Sequence, residues 1–277
     1  MAKKNRSRTG KKGMMLRRNA DKHKLYQWAV QAPDFEVDFI DTVFQHHRGR
    51  RPKLLREDFC GTALLSAEWA RSRNDRQAIG LDLDQETLDW AREHNLNSQK
   101  GNKTHVQLLR KDVRTVTSPK TDVICAFNFS YYTFFPFRDL VTYLKKVRKS
   151  LKSDGLLFLD AFGGWESQQV LEEAREISSP EGKFIYVWDQ ADFNPIDNSI
   201  TCHIHFQFAG GKRMKKAFTY QWRLYSPAEV CDALEEAGFS GWSVYWDKSE
   251  KEDYDDYRLM ERAENTPGWL AYIVGIV

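Results

Sequence analysis

Residues 54–63 read Leu54-Leu55-Arg56-Glu57-Asp58-Phe59-Cys60-Gly61-Thr62-Ala63, and this stretch decides the fold. Residues 53–59 are typical of a buried strand, and residues 62–73 carry apolar side chains at helical spacing. A tight turn therefore joins a strand to a helix. In a parallel α/β sheet, a ligand can approach the backbone of such a turn and the amino terminus of the helix.

The alternation of strands and helices continues along the chain. Further strands are predicted over residues 78–83, 105–109, 122–127 and 156–162, with helices over 85–94 and 140–151. Two amphipathic helices precede the first strand. Strands that alternate with helices of this length imply a parallel sheet covered on both faces, so the fold class is α/β and Rossmann-like.

After Gly164 the pattern changes, because residues 184–188, 200–208 and 217–222 alternate with period two and are joined by turn-rich segments. They predict an antiparallel three-stranded insertion after the fifth strand. A helix that starts at Ser226-Pro227 and strands over 239–246 and 269–277 then return to the α/β pattern. The predicted segments are a basic tail (1–20), a helical lid (21–52), an α/β core (53–164), the insertion (165–225) and the completion of the core sheet (226–277).

The basic charge of the chain is concentrated at its start. Residues 1–24 hold ten of the 42 Lys and Arg side chains and one of the 39 acids, a net of +9, so the remainder carries −6. Such blocks are usually solvated tails and sometimes bind polyanions, so nucleic acid is an alternative partner but not the favoured one.

Membrane and disulfide classes are disfavoured. The longest uncharged stretch, residues 123–137, contains Asn128, Ser130 and Pro136 and is shorter than the roughly 20 apolar residues of a spanning helix. No apolar run follows the basic start, so no signal peptide is expected. The four cysteines lack disulfide or metal-ligand spacing, which fits a cytoplasmic protein without a metal.

The charge of the first turn indicates its ligand. Glu57 and Asp58 lead into the turn, and Gly61 is its only glycine, so the turn would repel a pyrophosphate. This makes a nicotinamide-dependent oxidoreductase a weak alternative. A cationic ligand such as S-adenosylmethionine suits the turn better.

Acids also follow the next two strands. Asp82 ends the second strand, where a carboxylate can accept hydrogen bonds from a ribose diol. Asp112 follows the third strand and can accept from an adenine amino group, while Leu83 and Val113 offer apolar faces. Each acid alone is more often a helix cap or a surface residue, but three consecutive strand ends carry one.

Residues 54–164 resemble class I S-adenosylmethionine-dependent methyltransferases, whose loop often reads D-x-x-C-G-T-G. Here the loop is Glu57-Asp58-Phe59-Cys60-Gly61-Thr62-Ala63, with Phe59 and Ala63 at positions where small residues or glycine are usual. That difference predicts a tighter loop. Residues 20–277 resemble bacterial small-molecule methyltransferases with a helical lid and an antiparallel insertion.

The resemblance implies a seven-stranded sheet with its last strand antiparallel, and S-adenosylmethionine as cofactor. It implies Asp82 on the ribose, Asp112 on the adenine, and Glu57 with the loop around the methionine portion. Arg56 is a candidate for the methionine carboxylate, the alternative being an ion pair with Glu57 or a surface acid. The candidate cofactor-binding residues are Arg56, Glu57, Phe59, Cys60, Gly61, Thr62, Asp82, Leu83, Asp112, Val113 and Asn128.

Methyl transfer needs alignment and exclusion of water more than a catalytic triad, so the sequence designates no catalytic residue. The acceptor is expected beyond the fourth strand, where Tyr131 and Tyr132 carry hydroxyls at a strand end. Asn128 and Tyr131 also hold the outer positions of the N-P-P-Y element of amino-group methyltransferases, but both prolines are missing.

Other aromatic, histidine and arginine side chains are weaker candidates for the acceptor site. His203 and His205 alternate on one face of a predicted strand, where we expect them to be solvated and not to bind metal. The insertion would complete the acceptor pocket or form a homo-oligomer interface. The candidate substrate residues are His23, Tyr26, Tyr131, Tyr132, Trp188, Tyr220 and Arg223.

The leading hypothesis is a methyltransferase that acts on a small or medium-sized acceptor by in-line transfer. The alternative is an RNA- or DNA-directed methyltransferase or binding protein that uses the basic arm.

Overall fold

A computed structural model describes residues 13–96, 105–248 and 256–277. Most of the predicted basic tail lies outside these ranges. Within them, contacts divide the chain into two compact units. The core unit comprises Ala32–Gln169, Asn194–Ile200 and Trp222–Val277; the insert unit comprises residues 13–31, Val170–Phe193 and Thr201–Gln221.

The helices and strands follow the predicted alternation. The helices are α1 (Lys22–Val30), α2 (Pro33–Arg48), α3 (Leu64–Ser72), α4 (Gln85–Ala91), α5 (Phe137–Ser150) and α6 (Pro227–Glu236). The strands are β1 (Leu54–Asp58), β2 (Gln77–Asp82), β3 (Val106–Arg110), β4 (Thr121–Ala126), β5 (Leu151–Gly163), β6 (Leu171–Ser179), β7 (Gly182–Asn194), β8 (Ser199–Gln207), β9 (Arg213–Arg223), β10 (Gly241–Asp247), β11 (Tyr257–Leu259) and β12 (Trp269–Ile276).

The core sheet has the order β11-β10-β12-β5-β4-β1-β2-β3. Strands β1 to β5 are parallel, and β12 runs antiparallel between β5 and β10. An antiparallel last strand matches the expectation. Among the described residues the sheet has eight strands instead of seven, because the three-residue β11 adds an edge beside β10. A strand this short has no alternation to reveal it.

The strand register brings the predicted site residues to one edge. Strand β1 lies between β2 and β4, with Glu57 opposite Gly80 on one side and Cys125 on the other. Asp82 therefore ends its strand next to the end of β1, and ligands of open α/β sheets bind outside such carboxyl ends.

Helix α2 packs on this sheet through an apolar face. It begins at Pro33 and ends at Gly49, whose φ of 65° forms a left-handed cap. Phe39, Phe44 and Trp69 belong to one buried cluster with residues of the central strands. Burial of an aromatic or aliphatic side chain contributes about 1.5–3 kcal/mol, so this cluster fixes the path of α2 across the sheet.

The insert unit is a four-stranded antiparallel sheet, β6-β7-β8-β9, not the predicted three strands. Strand β6 was missed because its sequence, LEEAREISS, is charged and largely exposed. An apolar cluster that includes Phe184, Phe206 and Tyr220 covers one face of this sheet together with Leu25 and Ala29 of α1.

Two predicted boundaries are wrong. The helical lid (21–52) is split, since α1 belongs to the insert unit and α2 to the core unit. The basic tail was drawn too long, because Met15 is buried and its N–H donates to the Lys183 carbonyl at 2.7 Å. No helix among the described residues has the length and apolarity to cross a membrane.

Candidate active site

The loop after β1 keeps a backbone that glycine would adopt easily. Phe59, Gly61 and Ala63 have φ values of 58°, 49° and 52°, so every second residue is left-handed. The Cys60 N–H donates to the Leu81 carbonyl at 2.8 Å and ties the loop to β2. Phe59 and Ala63 thus add side chains to this loop, while its backbone keeps the left-handed conformation at these positions.

Asp82 holds the same loop from the neighbouring strand. Its Oδ2 accepts from the Gly61 N–H at 2.8 Å, and its Oδ1 accepts from the Asp84 N–H at 2.9 Å. A carboxylate has about four acceptor positions, so two remain for a ribose diol. Leu83 follows with 63% of its surface exposed, which leaves an apolar face open beside this carboxylate.

Gly80 allows the loop to approach β2. A Cβ atom there would lie 2.9 Å from the Cys60 Sγ. Cys60 is itself buried, so its predicted part in cofactor binding falls to the backbone. Thr62 is buried too, and its carbonyl accepts from the Asn95 side chain at 2.7 Å.

Glu57 is buried beneath the loop. Its Oε2 accepts from the Ser66 N–H at 2.9 Å and the Ser66 hydroxyl at 2.5 Å, at the start of α3. Within the described ranges, its Oε1 has no hydrogen-bond partner. Burial raises the pKa of Glu57 to about 7.

Arg56 does not point to a ligand. It is buried, with two N–H groups on the Asp58 carboxylate at 2.6 and 3.0 Å. Two more hydrogen bonds go to the carbonyls of Val113 and Val116, both at 2.7 Å. The candidate role on a methionine carboxylate is therefore wrong, and the ion pair is with the buried Asp58 instead of Glu57 or a surface acid.

Asp112 lies after β3, as predicted, in a fork with Arg114. The closest pair of atoms, Asp112 Oδ2 and Arg114 Nη2, is 2.6 Å apart, and this partner lowers the pKa of the Asp112 carboxyl. Val113 is buried and its carbonyl holds Arg56. Contact of either residue with adenine stays a prediction.

The segment after β4 is held by one acid, Asp160, which the sequence pattern did not single out. Asn128 and Phe129 are both left-handed, with φ of 56° and 58°. Their N–H groups donate to Asp160 at 2.7 and 2.9 Å. Asp160 is buried at the end of β5, and burial raises its pKa to about 7. A single acid inside the apolar run Leu156–Phe162 is the signal that could have found it.

Tyr131 and Tyr132 are not available to an acceptor in this structure. Both are fully buried. Their hydroxyls donate to the carbonyls of Asp160 at 2.9 Å and Tyr225 at 3.0 Å. They are packing residues of the strand end, contrary to the expectation for residues with terminal hydroxyls.

A second missed acid is Glu36 on α2. Only 7% of its surface is exposed, and burial together with Glu57 and Asp160 raises its pKa to about 8. It shares a helix face with Ile40 and Val43, so the signal was an acid at an apolar position of an amphipathic pattern.

A cavity of about 410 Å³ opens beyond the end of β5 in the core unit. Trp269 packs directly on the strand, since a Cβ on Gly163 would lie 2.1 Å from its ring. Phe162 lines the cavity and contacts Phe129, with ring centroids 4.6 Å apart. The lining residues are Phe162, Gly163, Gly164, Trp165, Ser167, Gln168, Asn198, Leu224, Tyr225, Ser226, Glu229, Asn265 and Trp269.

The cavity favours neutral ligands. No Lys or Arg lines it, and its one acid, Glu229, accepts from Ser226 and Arg223. Arg223, a substrate candidate, instead bonds Glu229 at 3.0 Å and the Phe135 carbonyl at 3.1 Å. The cavity thus offers aromatic faces and the amides of Gln168, Asn198 and Asn265.

Four substrate candidates belong to the insert unit. Tyr26 and His23 pack on Phe218, with ring centroids 5.0 and 6.0 Å away, and Trp188 lies 6.5 Å from Tyr220. These contacts show how the sheet face is covered. Their roles toward an acceptor stay predictions.

His203 and His205 are buried, contrary to the prediction that they are solvated. His205 Nδ1 accepts from the Lys216 N–H at 2.7 Å, so its proton is on Nε2, which donates to Asp189 at 3.0 Å. Glu172 lies close to this pair but is bound to Arg213 at 2.7 Å. In this structure His205 therefore pairs with Asp189, and Glu172 forms a separate ion pair with Arg213.

Comparison with known proteins gives a domain match and a shared fold. Residues 60–157 match the sequence model of a methyltransferase domain. No curated protein matches the chain.

Solved structures cover nearly the whole chain at low identity. DesVI of Streptomyces venezuelae is 16% identical, with 93% of this chain and 98% of that one covered and a TM-score of 0.69. CalS10 of Micromonospora echinaspora, an amino pentose methyltransferase solved with S-adenosylmethionine bound, is 14% identical (92% and 96% covered, TM-score 0.66). KedS8 of Streptoalloteichus, a sugar N-methyltransferase, is 14% identical (100% and 98% covered, TM-score 0.64).

The fold of these structures and the matched domain are both consistent with a ligand site at the strand-end acids described above. The acids also fit a cationic ligand, since Glu36, Glu57 and Asp160 are all buried and the last two raise the pKa of Glu36. Residues 60–157 therefore match a methyltransferase domain, and the fold of the chain is that of these methyltransferase structures.

Proposed function

We propose that this chain is an S-adenosylmethionine-dependent methyltransferase that acts on a small neutral acceptor with hydroxyl or amino groups, such as an amino sugar, and that the cavity beyond β5 binds this acceptor. The observation that carries the proposal is the lining of this cavity, which combines indole rings with side-chain amides and contains no Lys or Arg. Amides both donate and accept, as sugar hydroxyls do, and an indole face packs on the apolar side of a sugar ring.

The cofactor would be held along the ends of β1, β2 and β3. Asp82 has free acceptor positions for the ribose, the loop of Phe59–Ala63 offers backbone, and Leu83 offers an apolar face. When bound, the cofactor supplies an electrophilic methyl carbon on a sulfonium. The work of the protein is then to align the acceptor with that carbon and exclude water, which requires no catalytic base of its own.

The cavity adjoins this region through packed aromatic rings. Phe162 lies on the cavity wall and packs on Phe129, which follows β4. The Phe129 N–H donates to Asp160 of β5. An acceptor in the cavity would be near the strand ends that bind the cofactor. CalS10 and KedS8 are named for amino pentose and sugar N-methylation, which supports an amino sugar for this chain too.

A labelled-methyl assay tests this proposal. The protein is incubated with methyl-labelled S-adenosylmethionine and either neutral amino-sugar glycosides, sugar phosphates or total RNA. We expect label in an amino-sugar glycoside. Label in RNA alone, with every sugar inert, would overturn the proposal.

The matched variants are Trp165→Ala and Trp242→Ala. Both indoles are about half exposed, but only Trp165 lines the cavity, while Trp242 donates to Glu235 at 2.9 Å. We expect Trp165→Ala to lower kcat/KM for the acceptor by about tenfold or more, the loss of about 1.4 kcal/mol. Equal activity of the two variants would show that the acceptor binds elsewhere.

A nucleic-acid acceptor is not favoured, because the cavity presents no cation to a phosphate. The basic arm as a binding element stays a prediction.

A further inference from the structure

Glu36 lies level with the cofactor end of β1. It stands twelve residues before the last residue of α2, which spans about 18 Å at 1.5 Å per residue. The five residues of β1 span about 17 Å in the opposite direction after the turn at Gly49. Glu36, near the start of α2, therefore lies level with the carboxyl end of β1, on the side of the sheet where Glu57 and Asp160 lie.

The Glu36 carboxylate differs from its two neighbours in having no partner. Glu57 accepts from Ser66, and Asp160 accepts from the N–H groups of Asn128 and Phe129. Among residues 13–96, 105–248 and 256–277, no donor reaches Glu36. A buried acid without a hydrogen bond costs several kcal/mol when it is ionised, so such a position needs a reason.

Negative charge surrounds Glu36 and no described cation neutralises it. Glu57 and Asp160 raise its pKa, and Asp82 and Asp58 in turn raise the pKa of Glu57. Arg56 is turned to Asp58, and Arg76, which follows α3, pairs with Asp41 of α2. Burial raises the pKa of the other titratable groups on the packed elements, so these stay neutral near pH 7; they are Cys125, Tyr131, Tyr132, Tyr143 and Tyr245.

A cationic ligand beside these three buried acids would neutralise part of their negative charge. We infer that Glu36 is a specificity-determining counter-ion for the positive charge of S-adenosylmethionine, and that it releases its proton to solvent when that charge enters the cluster of Glu36, Glu57 and Asp160. The inference rests on the cofactor assignment and concerns this site alone. The cofactor has two cationic groups, the sulfonium and the ammonium, and the test distinguishes them.

The sign of the pH dependence follows from the raised pKa of Glu36, about 8 in the free protein. Below that pH the free protein holds the proton, which the cation must displace. Affinity for the cationic cofactor should therefore rise as the pH rises from about 6 to 8 and level off above it. A ligand without positive charge should show no such rise.

Titration calorimetry on the wild-type chain at pH 7, in two buffers of different ionisation enthalpy, measures the released protons. The probes are S-adenosylmethionine, S-adenosylhomocysteine, which keeps only the ammonium, and 5′-methylthioadenosine, which has neither cation. We expect about one proton or more for S-adenosylmethionine, since Glu57 and Asp160 are also partly protonated at pH 7, and none for methylthioadenosine. Release with S-adenosylhomocysteine assigns the ammonium, and its absence assigns the sulfonium. Equal release by S-adenosylmethionine and methylthioadenosine overturns the inference.

The variant Glu36→Gln tests the residue itself. Asp38→Asn, on the exposed face of the same helix, is the control. Glu36→Gln should weaken S-adenosylmethionine at pH 8 by about tenfold or more and release fewer protons at pH 7 than the wild type, with methylthioadenosine affinity kept. Glu57 and Asp160, whose pKa values are about 7, still titrate in this variant, so part of the pH dependence stays. A melting curve at pH 8 checks folding, and the variant should be no less stable because it buries no charge. Unchanged S-adenosylmethionine affinity contradicts the inference. Failure of the wild type to bind any of the three probes would instead contradict the cofactor assignment.

Discussion

Five residues of the candidate active site hold a left-handed backbone without being glycine: Phe59, Ala63, Asn128, Phe129 and the cavity residue Asn198. A non-glycine residue pays roughly 1–2 kcal/mol in this region. Asp160 offsets that cost at Asn128 and Phe129 by accepting from both N–H groups. The strain is located where the ligand is expected, as is common at functional sites.

Ala63→Gly should be tolerated far better than a glycine in the helix that follows. The substitution removes one buried methyl, about 0.8 kcal/mol, but relieves the left-handed backbone. Ala67→Gly, inside α3, loses a methyl and helix propensity with no such relief. Urea unfolding should therefore show a free energy of unfolding at least about 1 kcal/mol higher for Ala63→Gly than for Ala67→Gly; the reverse order would contradict the strain.

Gly163→Ala should damage the cavity without touching the cofactor loop. Its Cβ would lie 2.1 Å from Trp269, so the indole must move, at a cost of about 1–3 kcal/mol. Gly268→Ala, one residue from the same indole, has no atom within 4 Å and is the control. Acceptor turnover should fall in the first variant alone, with S-adenosylhomocysteine affinity equal in both. Equal turnover in the two variants would show that the cavity does not bind the acceptor.

At the scale of elements, the periodicity of the sequence predicted the α/β alternation and the antiparallel last strand, because a buried sheet and its covering helices need those patterns. It could not predict β6 or β11, since exposed or very short strands owe their place to the strands they pair with. It also could not separate α1 from α2, because amphipathic spacing shows that a helix packs but not on what.

The link between β1 and α5 predicts a large effect on stability. Arg56 and Asp58 form a buried ion pair, and the Tyr143 hydroxyl donates to Asp58 at 2.9 Å. Arg56→Leu leaves an unpaired buried carboxylate and should lower the free energy of unfolding by about 3–5 kcal/mol. Arg71→Leu, which removes an exposed ion pair with Glu68, should change it by less than about 1 kcal/mol.

Denaturant unfolding of both variants at pH 7 gives the comparison. The double variant Arg56→Leu/Asp58→Leu should recover part of the loss, since no charge remains buried. If Arg56→Leu instead left stability intact and abolished S-adenosylhomocysteine binding, Arg56 would be a cofactor ligand after all.

At the scale of the whole molecule, the first described residues, 13–15, are already held in the insert unit. The Lys183 N–H donates to the Gly13 carbonyl at 3.1 Å, and Met15 is buried. Deletion of residues 2–12 should leave the melting temperature and cofactor binding unchanged, whereas deletion of 2–20 should lower stability by about 1.5–3 kcal/mol through the loss of Met15. A melting scan of the two deletions decides this. An equal loss in both would contradict the boundary.

The same scale explains which site residues the sequence could predict. Asp82 and the loop of residues 57–63 follow strands directly, so strand order alone brings them together. Glu36 and Asp160 are 124 positions apart in the chain, and only packing of α2 across the sheet makes them neighbours. Arg56, Tyr131 and Tyr132 were misjudged because sequence position at a strand end does not say whether a side chain points to the ligand or into the core.

The central claim is that the strand ends of the core unit bind S-adenosylmethionine, and titration calorimetry with its product S-adenosylhomocysteine tests it most directly. We predict binding to the wild type and to the exposed-acid control Asp89→Ala. Asp82→Ala should bind about tenfold to a hundredfold more weakly, because it loses charge-assisted hydrogen bonds to the ribose and the anchor of the loop. No binding to the wild type, or equal affinity in Asp82→Ala, would contradict the account.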